Sequence, residues 1–279
     1  MTRIEQLTEW VGDGGVVVLS GAGLSTESGI PDYRGPTGAA RRSTAPMTYQ
    51  AFTRDPAARR RYWARSHLGW RTIGEARPNG GHRAVARLQA LARVDGIITQ
   101  NVDGLHQAGG AHGVVELHGN LARIVCLGCG ALTARAEHSA RLDAANPGFA
   151  AAVTRVNPDG DVDIDEAALD GFAVVDCASC GGMLKPDVVY FGETVPAARV
   201  SRGFDLVAGA RTLLVLGSSL TVMSGRRFVV RAARDGIRVV IVNQGVTRGA
   251  QYADLTVDAA LGEVLPELVG RVESAAIPS

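Results

Sequence analysis

The chain has 279 residues, 46% of them apolar, which is enough to bury the core of one large domain or of a domain with an insert. Its formal net charge is +1, so it lacks the strong field that favours nucleic acid or an anionic membrane. No apolar run reaches the length of a membrane span, and the first residues lack the basic start and apolar core of a signal peptide. We therefore expect a globular protein with no nucleic-acid and no membrane partner.

The first predicted elements are a helix and a buried strand that leads into a glycine-rich loop. Helical spacing of apolar residues over 4–10 predicts a helix that covers a sheet. The apolar run 16–19 predicts a buried parallel strand. Gly21 and Gly23 follow this strand, where two glycines permit a tight turn and close approach to a pyrophosphate, but Thr26 replaces the third glycine of the usual fingerprint. Taken alone, such a Gly-x-Gly is more often a simple tight turn than a nucleotide site.

The second half of the same loop carries groups suited to chemistry. Pro31 fixes the backbone angle φ, and Asp32, Tyr33 and Arg34 stand together immediately after it. An acid and a base on a stiffened loop beside a phosphate-binding turn indicate chemistry on a cofactor, beyond simple binding.

Residues 36–80 are rich in arginine and have helical patterns, with helices predicted within 47–52 and 56–70. We interpret this stretch as a small helical module inserted after the first strand. Its basic string 59–65 suggests two interpretations, a nucleic-acid patch or a solvated helix face with Tyr62 and Trp63 packed inward. The second is favoured, because long arginine side chains commonly cover a helix surface.

A second helix and strand lead to a polar string. Residues 82–92 have helical spacing, and 96–99 form a predicted strand that ends at Gln100, Asn101 and Asp103. Open α/β sheets bind ligands at the carboxyl ends of their strands, which makes these residues candidates for a binding site. The alternative is a plain strand end with an Asx turn.

His118 follows the apolar segment 114–117 and precedes Gly119. A lone histidine is more often a packed or surface residue than a catalyst, and this chain has six. Its position at the end of an apolar segment makes His118 a stronger candidate for a functional residue than the other histidines.

Four cysteines form two Cys-x-x-Cys pairs, Cys126 with Cys129 and Cys177 with Cys180, with 47 residues between the pairs. Both pairs lie in glycine-rich knuckles. Four thiolates provide tetrahedral ligation and close a metal site to substrate. Two redox pairs are the disfavoured alternative, because a thioredoxin-like pair sits at the start of a helix after a strand. We expect one structural zinc per chain and a reducing, cytoplasmic compartment.

The cysteine module also contains an irregular stretch, 146–165, that is rich in proline, glycine and aspartate. Its acidic run 159–165 lacks the full loop of a calcium site, and we interpret it as an acidic turn.

The remaining chain alternates between strands and helices. Strands are predicted at 212–216, 238–242 and 255–257, and helices at 228–234 and 262–269. Two of the strands end in polar triplets that are either ordinary turns or ligand contacts, namely Gly217, Ser218 and Ser219, and Asn243, Gln244 and Gly245.

This alternation predicts an α/β fold, with a doubly wound parallel (Rossmann-like) sheet. The dinucleotide-binding domain is split into 1–35, 81–118 and 185–279. The helical module (36–80) and a zinc-binding module (119–184) interrupt it.

Taken together, these motifs resemble those of the sirtuins, the NAD-dependent protein deacylases. The string Gly21-Ala-Gly-Leu-Ser-Thr-Glu-Ser-Gly-Ile-Pro-Asp-Tyr-Arg34 is similar to the hallmark loop of that family, and further matches extend along almost the whole chain. The strings Tyr62-Trp-Ala-Arg65, Lys185-Pro-Asp-Val-Val-Tyr-Phe-Gly-Glu193 and Gly217-Ser-Ser-Leu220 look most like the class II branch, which includes a mitochondrial sirtuin of animals. The high arginine content, with Lys185 as the only lysine, is the bias expected of a bacterial genome rich in GC.

The resemblance implies that NAD is a co-substrate and that His118 and Asn101 are catalytic. A near-neutral pKa suits His118 for taking a proton from a ribose hydroxyl as the general base. Gln100 and Asn101 are expected at the nicotinamide ribose, and Asp103 at the carboxamide. The implied cofactor-binding residues are Gly21, Ala22, Gly23, Thr26, Ile30, Asp32, Tyr33, Arg34, Gln100, Asn101, Asp103, Gly217, Ser218, Ser219, Asn243, Gln244, Gly245 and Leu261.

The resemblance also implies where the protein substrate binds. The segment 188–193 is similar to one that pairs with substrate backbone as a β-strand, a mode that reads an extended peptide with little sequence demand. Val188, Val189, Phe191 and Gly192 are expected to contact the acyl-lysine. The protein partners implied are therefore acyl-lysine proteins, and the sequence does not indicate an oligomeric state.

The reaction implied by the resemblance begins with attack of the acyl-amide oxygen on C1′ of the ribose as nicotinamide leaves. His118 then activates a ribose hydroxyl, and water completes the conversion to free lysine and O-acyl-ADP-ribose. Two alternatives are a protein mono-ADP-ribosyltransferase and a non-catalytic NAD-binding zinc protein. The presence of His118, Asn101 and Asp103 argues against the non-catalytic alternative.

Tyr62 and Arg65 are three residues apart on a predicted helix, so they share a face. Desuccinylating sirtuins carry a similar Tyr-x-x-Arg pair that binds the acyl carboxylate, and arginine can hold a carboxylate with two parallel bonds. The resemblance therefore predicts an acidic or longer acyl chain. Because the rest of the chain resembles class II, it is equally expected that Arg65 has a structural role or cannot reach the acyl group.

Overall fold

The computed structural model describes residues 1–32, 46–151, 155–156, 161–163, 169 and 171–275. The helices are α1 (Arg3–Gly12), α2 (Tyr49–Arg54), α3 (Pro56–Glu75), α4 (Gly80–Ala90), α5 (Leu105–Ala108), α6 (Arg135–Ala145), α7 (Ala197–Ala208), α8 (Met223–Arg234) and α9 (Leu261–Ala275). The strands are β1 (Val16–Ser20), β2 (Val94–Thr99), β3 (Val115–Glu116), β4 (Gly119–Cys126), β5 (Leu132–Ala134), β6 (Arg155–Val156), β7 (Val162–Asp163), β8 (Leu184–Val188), β9 (Thr212–Leu216), β10 (Arg238–Val242) and β11 (Leu255–Val257). Short 3-10 turns lie at Ala22–Leu24, Thr26–Ser28 and Ala250–Tyr252.

Six parallel strands form the central sheet in the order β11-β10-β9-β1-β2-β3, which confirms the predicted doubly wound α/β fold. The chain runs from β1 outward through β2 to β3, and later returns to the other side of β1 as β9. The strand order therefore reverses between β1 and β9. Open α/β sheets bind ligands in the crevice at such a reversal, outside the carboxyl ends of the strands.

Side chains of β1 alternate between two hydrophobic clusters. Val16 and Val18 pack with residues of α1, α4 and α9, whereas Val17 and Leu19 pack with residues of α7 and α8. Successive side chains of a strand point to opposite faces, so helices cover both sides of the sheet. This double coverage explains why every residue of β1 is buried and why its first four residues are all apolar.

Three helix boundaries differ from the sequence predictions by five residues or more, and α5, α6 and α7 were not predicted at all. Helix α3 continues five residues beyond its predicted end at 70, α9 continues to 275, and α8 begins five residues before its predicted start at 228. The first turn of α8, with Met223, Ser224 and Gly225, shows no apolar periodicity, which is why the pattern missed it. This difference matters because that turn reaches the candidate site.

The described parts of the two segments predicted to be insertions, 36–80 and 119–184, pack against each other beside the sheet. Phe52, Tyr62 and Trp63 from α2 and α3 share one hydrophobic cluster with Ile124 and Cys126 of β4. Strands β5, β4 and β8 form a three-stranded antiparallel sheet in this region. The inward packing predicted for Tyr62 and Trp63 is confirmed, since they are 3% and 0% exposed.

Candidate active site

A cavity of about 790 Å³ lies at the strand-order reversal, where the carboxyl ends of β1, β2 and β9 meet. Tyr33 and Arg34, which were also predicted to bind the cofactor, lie outside the described residues. All the other residues predicted to bind it line this cavity, namely Gly21, Ala22, Gly23, Thr26, Ile30, Asp32, Gln100, Asn101, Asp103, Gly217, Ser218, Ser219, Asn243, Gln244, Gly245 and Leu261. The fold therefore brings together residues that are distant in sequence.

Gly21 and Gly23 allow the loop after β1 to pack closely on the loop after β9. A Cβ atom on Gly23 would lie 2.9 Å from the Cα of Gly217, and one on Gly21 would lie 2.8 Å from the carbonyl oxygen of Gly217. The Gly23 amide donates a hydrogen bond to that oxygen at 2.9 Å. Gly217 itself has a φ of +60°, a conformation that favours glycine. The glycines thus join two cavity-lining loops at backbone distance.

Ser25 connects the two polar residues that follow β2. Its hydroxyl donates to Oδ2 of Asp103 at 2.7 Å and accepts from Nδ2 of Asn101 at 3.1 Å. Asn101 also donates to the Gly21 carbonyl at 3.0 Å, and the Leu105 amide donates to Asp103 at 2.9 Å. Burial raises the pKa of Asp103, and the hydrogen bonds that it accepts from Leu105 and Ser25 oppose that shift. Sequence reasoning missed Ser25, although a hydroxyl between the cavity-lining Gly23 and Thr26 was an available signal.

The imidazole of His118 is held in one orientation at the cavity wall. Its Nδ1 lies 2.9 Å from the carbonyl oxygen of Gln100, which can only accept, so Nδ1 carries the proton. Nε2 is then left with its lone pair and accepts from the hydroxyl of Ser224 at 2.8 Å. Burial lowers the pKa of His118, so the ring is neutral at pH 7. A neutral imidazole whose Nε2 lone pair faces a cavity has the arrangement of a general base.

Gln100 and the first turn of α8 fit together closely. Nε2 of Gln100 donates to the hydroxyl of Ser218 at 2.8 Å. A Cβ atom on Gly225 would lie only 2.4 Å from Oε1 of Gln100, so any larger residue there would displace the Gln100 carboxamide. Ser224 was missed by sequence reasoning because its helix was predicted to start later, and the Ser-Gly pair after the Gly217 triplet was the available signal.

Val188, Val189, Phe191 and Gly192 also line the cavity, on the side of the inserted segments. The Val189 amide donates to the carbonyl of His118 at 2.8 Å, and the Phe191 carbonyl accepts from the Tyr49 amide at 3.0 Å. This segment is therefore joined on one side to the backbone of the candidate base and on the other to helix α2.

Lys185 stabilises the same segment from within. Its Nζ donates to Oε2 of Glu193 at 3.0 Å and to the carbonyl of Val188 at 2.5 Å, and Oε2 of Glu193 also accepts from the Tyr190 amide at 2.8 Å. The side chain of Lys185 is 4% exposed. Burial lowers the pKa of Lys185, and the Glu193 carboxylate opposes that shift. The only lysine of the chain is thus an internal support of the cavity wall.

Tyr62 and Arg65 point to different places. Tyr62 lines the cavity, and burial raises its pKa to about 12. Arg65 is absent from the described cavity lining, and its guanidinium lies 3.1 Å from both Asp161 and Asp163. Its Nε also donates to the carbonyl of Val162 at 2.6 Å. This geometry favours the structural alternative for Arg65 and disagrees with the prediction that it binds an acyl carboxylate.

The four predicted metal ligands form one cluster. The Sγ atoms of Cys126, Cys129, Cys177 and Cys180 all lie within 4.8 Å of one another. This donor set and spacing fit a single tetrahedral zinc. No cysteine is among the described residues that line the cavity, so the cluster stands apart from it.

The described ranges contain no helix that is long and apolar enough to cross a membrane.

Comparison with known sequences identifies relatives along most of the chain. The Sir2 family matches residues 21–224. An NAD-dependent protein deacetylase 1 of Streptomyces coelicolor is 60% identical over 259 residues, which cover 93% of this chain and 86% of that protein. An NAD-dependent protein deacetylase 1 of Mycobacterium avium is 52% identical over 255 residues, which cover 90% and 89% of the two chains.

Solved structures give the same result. A Sir2 structure with a p53 peptide and NAD⁺ has a TM-score of 0.76 and 27% identity, and the match covers 99% of this chain and 98% of that one. A second structure, described as the structural basis for the mechanism and regulation of Sir2 enzymes, has a TM-score of 0.77 and 28% identity. The match covers 98% of each chain. Assignment to the class II branch stays a prediction. The resemblance to the sirtuins is confirmed, and the chain belongs to the Sir2 family.

Proposed function

We propose that the chain is an NAD-dependent protein-lysine deacylase that consumes NAD as a co-substrate and releases nicotinamide and O-acyl-ADP-ribose. The position of His118 carries this proposal. Its Nε2 lone pair lies at the wall of one cavity, between the polar strand ends and the segment 188–192. Membership of the Sir2 family and the names of the curated relatives support it.

The polar end of the cavity suits the nicotinamide half of NAD. Asn101 and Asp103, held by Ser25, present an amide and a carboxyl group whose orientation is fixed before a ligand binds. We assign Gln100 and Asn101 to the ribose, Asp103 to the carboxamide and Ile30 to the ring. Fixed polar groups favour a bound cofactor because less ordering is needed on binding.

The opposite end suits the adenosine half. We assign Gly217, Ser218 and Ser219 to the phosphates, because backbone amides after a strand form good anion sites. Asn243, Gln244 and Gly245 lie one strand further out, at the end of β10, and are assigned to the adenosine ribose and the adenine edge. Leu261 is assigned only a backbone contact there.

His118 is the proposed general base. With Nδ1 donating to the Gln100 carbonyl, Nε2 is the nitrogen that takes a proton from the ribose hydroxyl. The Ser224 hydroxyl occupies this nitrogen in the present structure, and it must yield or relay the proton when the substrates are bound. The Gln100 carbonyl then stabilises the imidazolium that forms, because it still accepts from Nδ1.

The acyl-lysine substrate is assigned to the other wall, along Val189, Phe191 and Gly192, with Tyr62 towards the acyl end. The donor set of the four cysteines fits one structural zinc, which would hold the knuckles together and take no part in the reaction. Because a zinc site needs its four cysteines reduced, we also propose a reducing, cytoplasmic location.

Mass spectrometry of a peptide panel tests the proposal. Full-length enzyme is mixed with NAD and with acetyl-lysine, succinyl-lysine or unmodified peptides. We expect nicotinamide release only with an acylated peptide, matched mole for mole by O-acyl-ADP-ribose. ADP-ribose on the peptide or on the enzyme would identify a mono-ADP-ribosyltransferase instead, and the absence of any release would identify a non-catalytic NAD-binding protein.

A further inference from the structure

The cavity wall contains one arginine for which the proposed reaction has no role. Arg227 lies in the second turn of α8, is partly buried and lines the cavity. Among the described lining residues it is the only arginine or lysine. The acidic residues of the lining are Glu27, Asp32, Asp103 and Glu193.

Arg227 has no carboxylate partner among the residues that the structure describes. Its Nε donates to the carbonyl of Met223 in its own helix at 3.3 Å. The neighbouring Arg226 instead contacts the sulfur of Met223, and Arg231 pairs with Asp235 one turn later. A guanidinium that is partly removed from water without a counter-ion gains free energy when an anion binds it.

The face of α8 that carries Arg227 contacts both the candidate base and helix α7. Residues three or four apart share a face of a helix. Ser224, three residues before Arg227, contacts His118 at 2.8 Å, and Arg231, four residues after it, lies over the ring of Phe204 in α7 at 5.9 Å. Helix α7 begins directly after the lining segment 193–195. Arg227 therefore lies on the face of α8 that carries both the Ser224 contact with His118 and the Arg231 contact with α7, and it lines the same cavity as the segment 188–195.

We infer that Arg227 selects acyl-lysine substrates that carry an acidic side chain next to the acylated lysine. The inference rests on the proposed function, which places the substrate along 188–192. An extended peptide there presents its flanking side chains to the cavity walls. A carboxylate on one of them can accept two parallel charge-assisted hydrogen bonds from the guanidinium.

Steady-state kinetics with matched peptides test this inference. Acetyl-lysine peptides of one neutral sequence carry either Glu or Gln at a single position, one or two residues to either side of the acetyl-lysine. For the best position we expect kcat/KM to be about three- to tenfold higher with Glu than with Gln, as for one partly exposed charge-assisted pair. The ratio should shrink as salt is raised, because salt screens such a pair.

Two variants make the test specific. Arg227→Gln should bring the Glu-to-Gln ratio to about one, and Arg227→Glu should reverse the preference towards peptides with a flanking Arg. Arg226→Gln removes the neighbouring arginine, which is absent from the described cavity lining, and should leave the ratio as in wild type.

Three outcomes would overturn the inference. These are a wild-type ratio of one at every position, an equal loss for Glu and Gln peptides in Arg227→Gln, and a rise in the KM of NAD alone, which would place Arg227 at the cofactor phosphates. Failure of the proposed function looks different, because wild-type enzyme would then release no nicotinamide with any acetyl peptide. In that case, fluorescence anisotropy can measure the dissociation constants of the same peptides, and it still shows whether the Glu peptide binds more tightly than the Gln peptide.

Discussion

At the scale of single residues, the backbone determines the chemistry of His118. The Gln100 carbonyl fixes the proton on Nδ1, and burial lowers the pKa of the ring. A base must be neutral, and a lowered pKa keeps it neutral further into acid. We therefore predict that kcat/KM for deacylation stays level down to about pH 6.5, the ordinary pKa of histidine, and falls only below it. A pH profile whose acid limb lies at or above that value would contradict this prediction.

His118→Ala should abolish acyl transfer while NAD binding survives, because the base acts after the cofactor is seated. The measurements are single-turnover formation of O-acyl-ADP-ribose and calorimetric titration with NAD. Ser224→Ala is the matched control, since it removes the hydrogen-bond partner of Nε2 and keeps the imidazole. We expect the control to retain activity within about tenfold, as for the loss of one neutral hydrogen bond. Near wild-type turnover in His118→Ala would refute the assignment of the base.

Arg65 is expected to contribute to stability and to have no effect on the choice of acyl group. Its guanidinium is paired with Asp161 and Asp163, and all three side chains are less than one-fifth exposed. Arg65→Met should lower the free energy of unfolding by about 1–2 kcal/mol, as expected for a partly buried pair that is broken from one side. The ratio of kcat/KM for acetyl and succinyl peptides should stay unchanged. A loss confined to succinyl peptides would restore the idea that Arg65 binds an acyl carboxylate.

At the scale of elements, the cysteine knuckles are coupled to the helices that border the cavity. Cys126 and Cys177 belong to the same hydrophobic cluster as Phe52 and Tyr62. Because this cluster is continuous, disorder in the knuckles is expected to spread to the wall that receives the acyl-lysine. The wall assigned to NAD is built on the central sheet and has separate hydrophobic clusters.

We therefore predict one zinc per chain, and that a chelator or Cys129→Ser lowers the melting temperature and raises the KM for the acyl peptide more than the KM for NAD. Metal binding to such a site is coupled to folding, which gives the direction of the change in stability. Elemental analysis and thermal melts with and without the chelator are the measurements. Folded, active protein that contains no zinc would be incompatible with this account.

The elements also show which parts of the fold a sequence pattern can predict. The apolar runs at β1, β9 and β10 identify buried parallel strands without tertiary information, because every side chain of these strands except Arg238 is buried. The first turn of α8 has no such pattern, because Ser224 and Gly225 contact the side chains of His118 and Gln100 and do not belong to an apolar face. Those contacts join positions more than 100 residues apart, which no local window contains.

At the scale of the whole molecule, the sequence predicted those parts of the candidate site whose motifs lie at the ends of strands. The residues after β1, β2, β9 and β10 meet at one edge of the sheet because the strands are parallel. Arg65 was different, since helical spacing correctly placed it near Tyr62 along the helix, but its partners come from residues 161 and 163. Which acidic residues meet an arginine is decided by tertiary packing, and the spacing of residues on one helix cannot show it.

The central claim is that one cavity brings the acyl-amide oxygen to C1′ of the ribose, with His118 beside it. The most direct test is a single turnover of an acetyl-lysine peptide and NAD in H₂¹⁸O, with mass analysis of the acyl fragment. The account predicts one ¹⁸O in the acetyl group of O-acetyl-ADP-ribose, because the amide oxygen stays on C1′ and water supplies the new ester carbonyl. Labelled free acetate formed together with unacylated ADP-ribose would contradict the account.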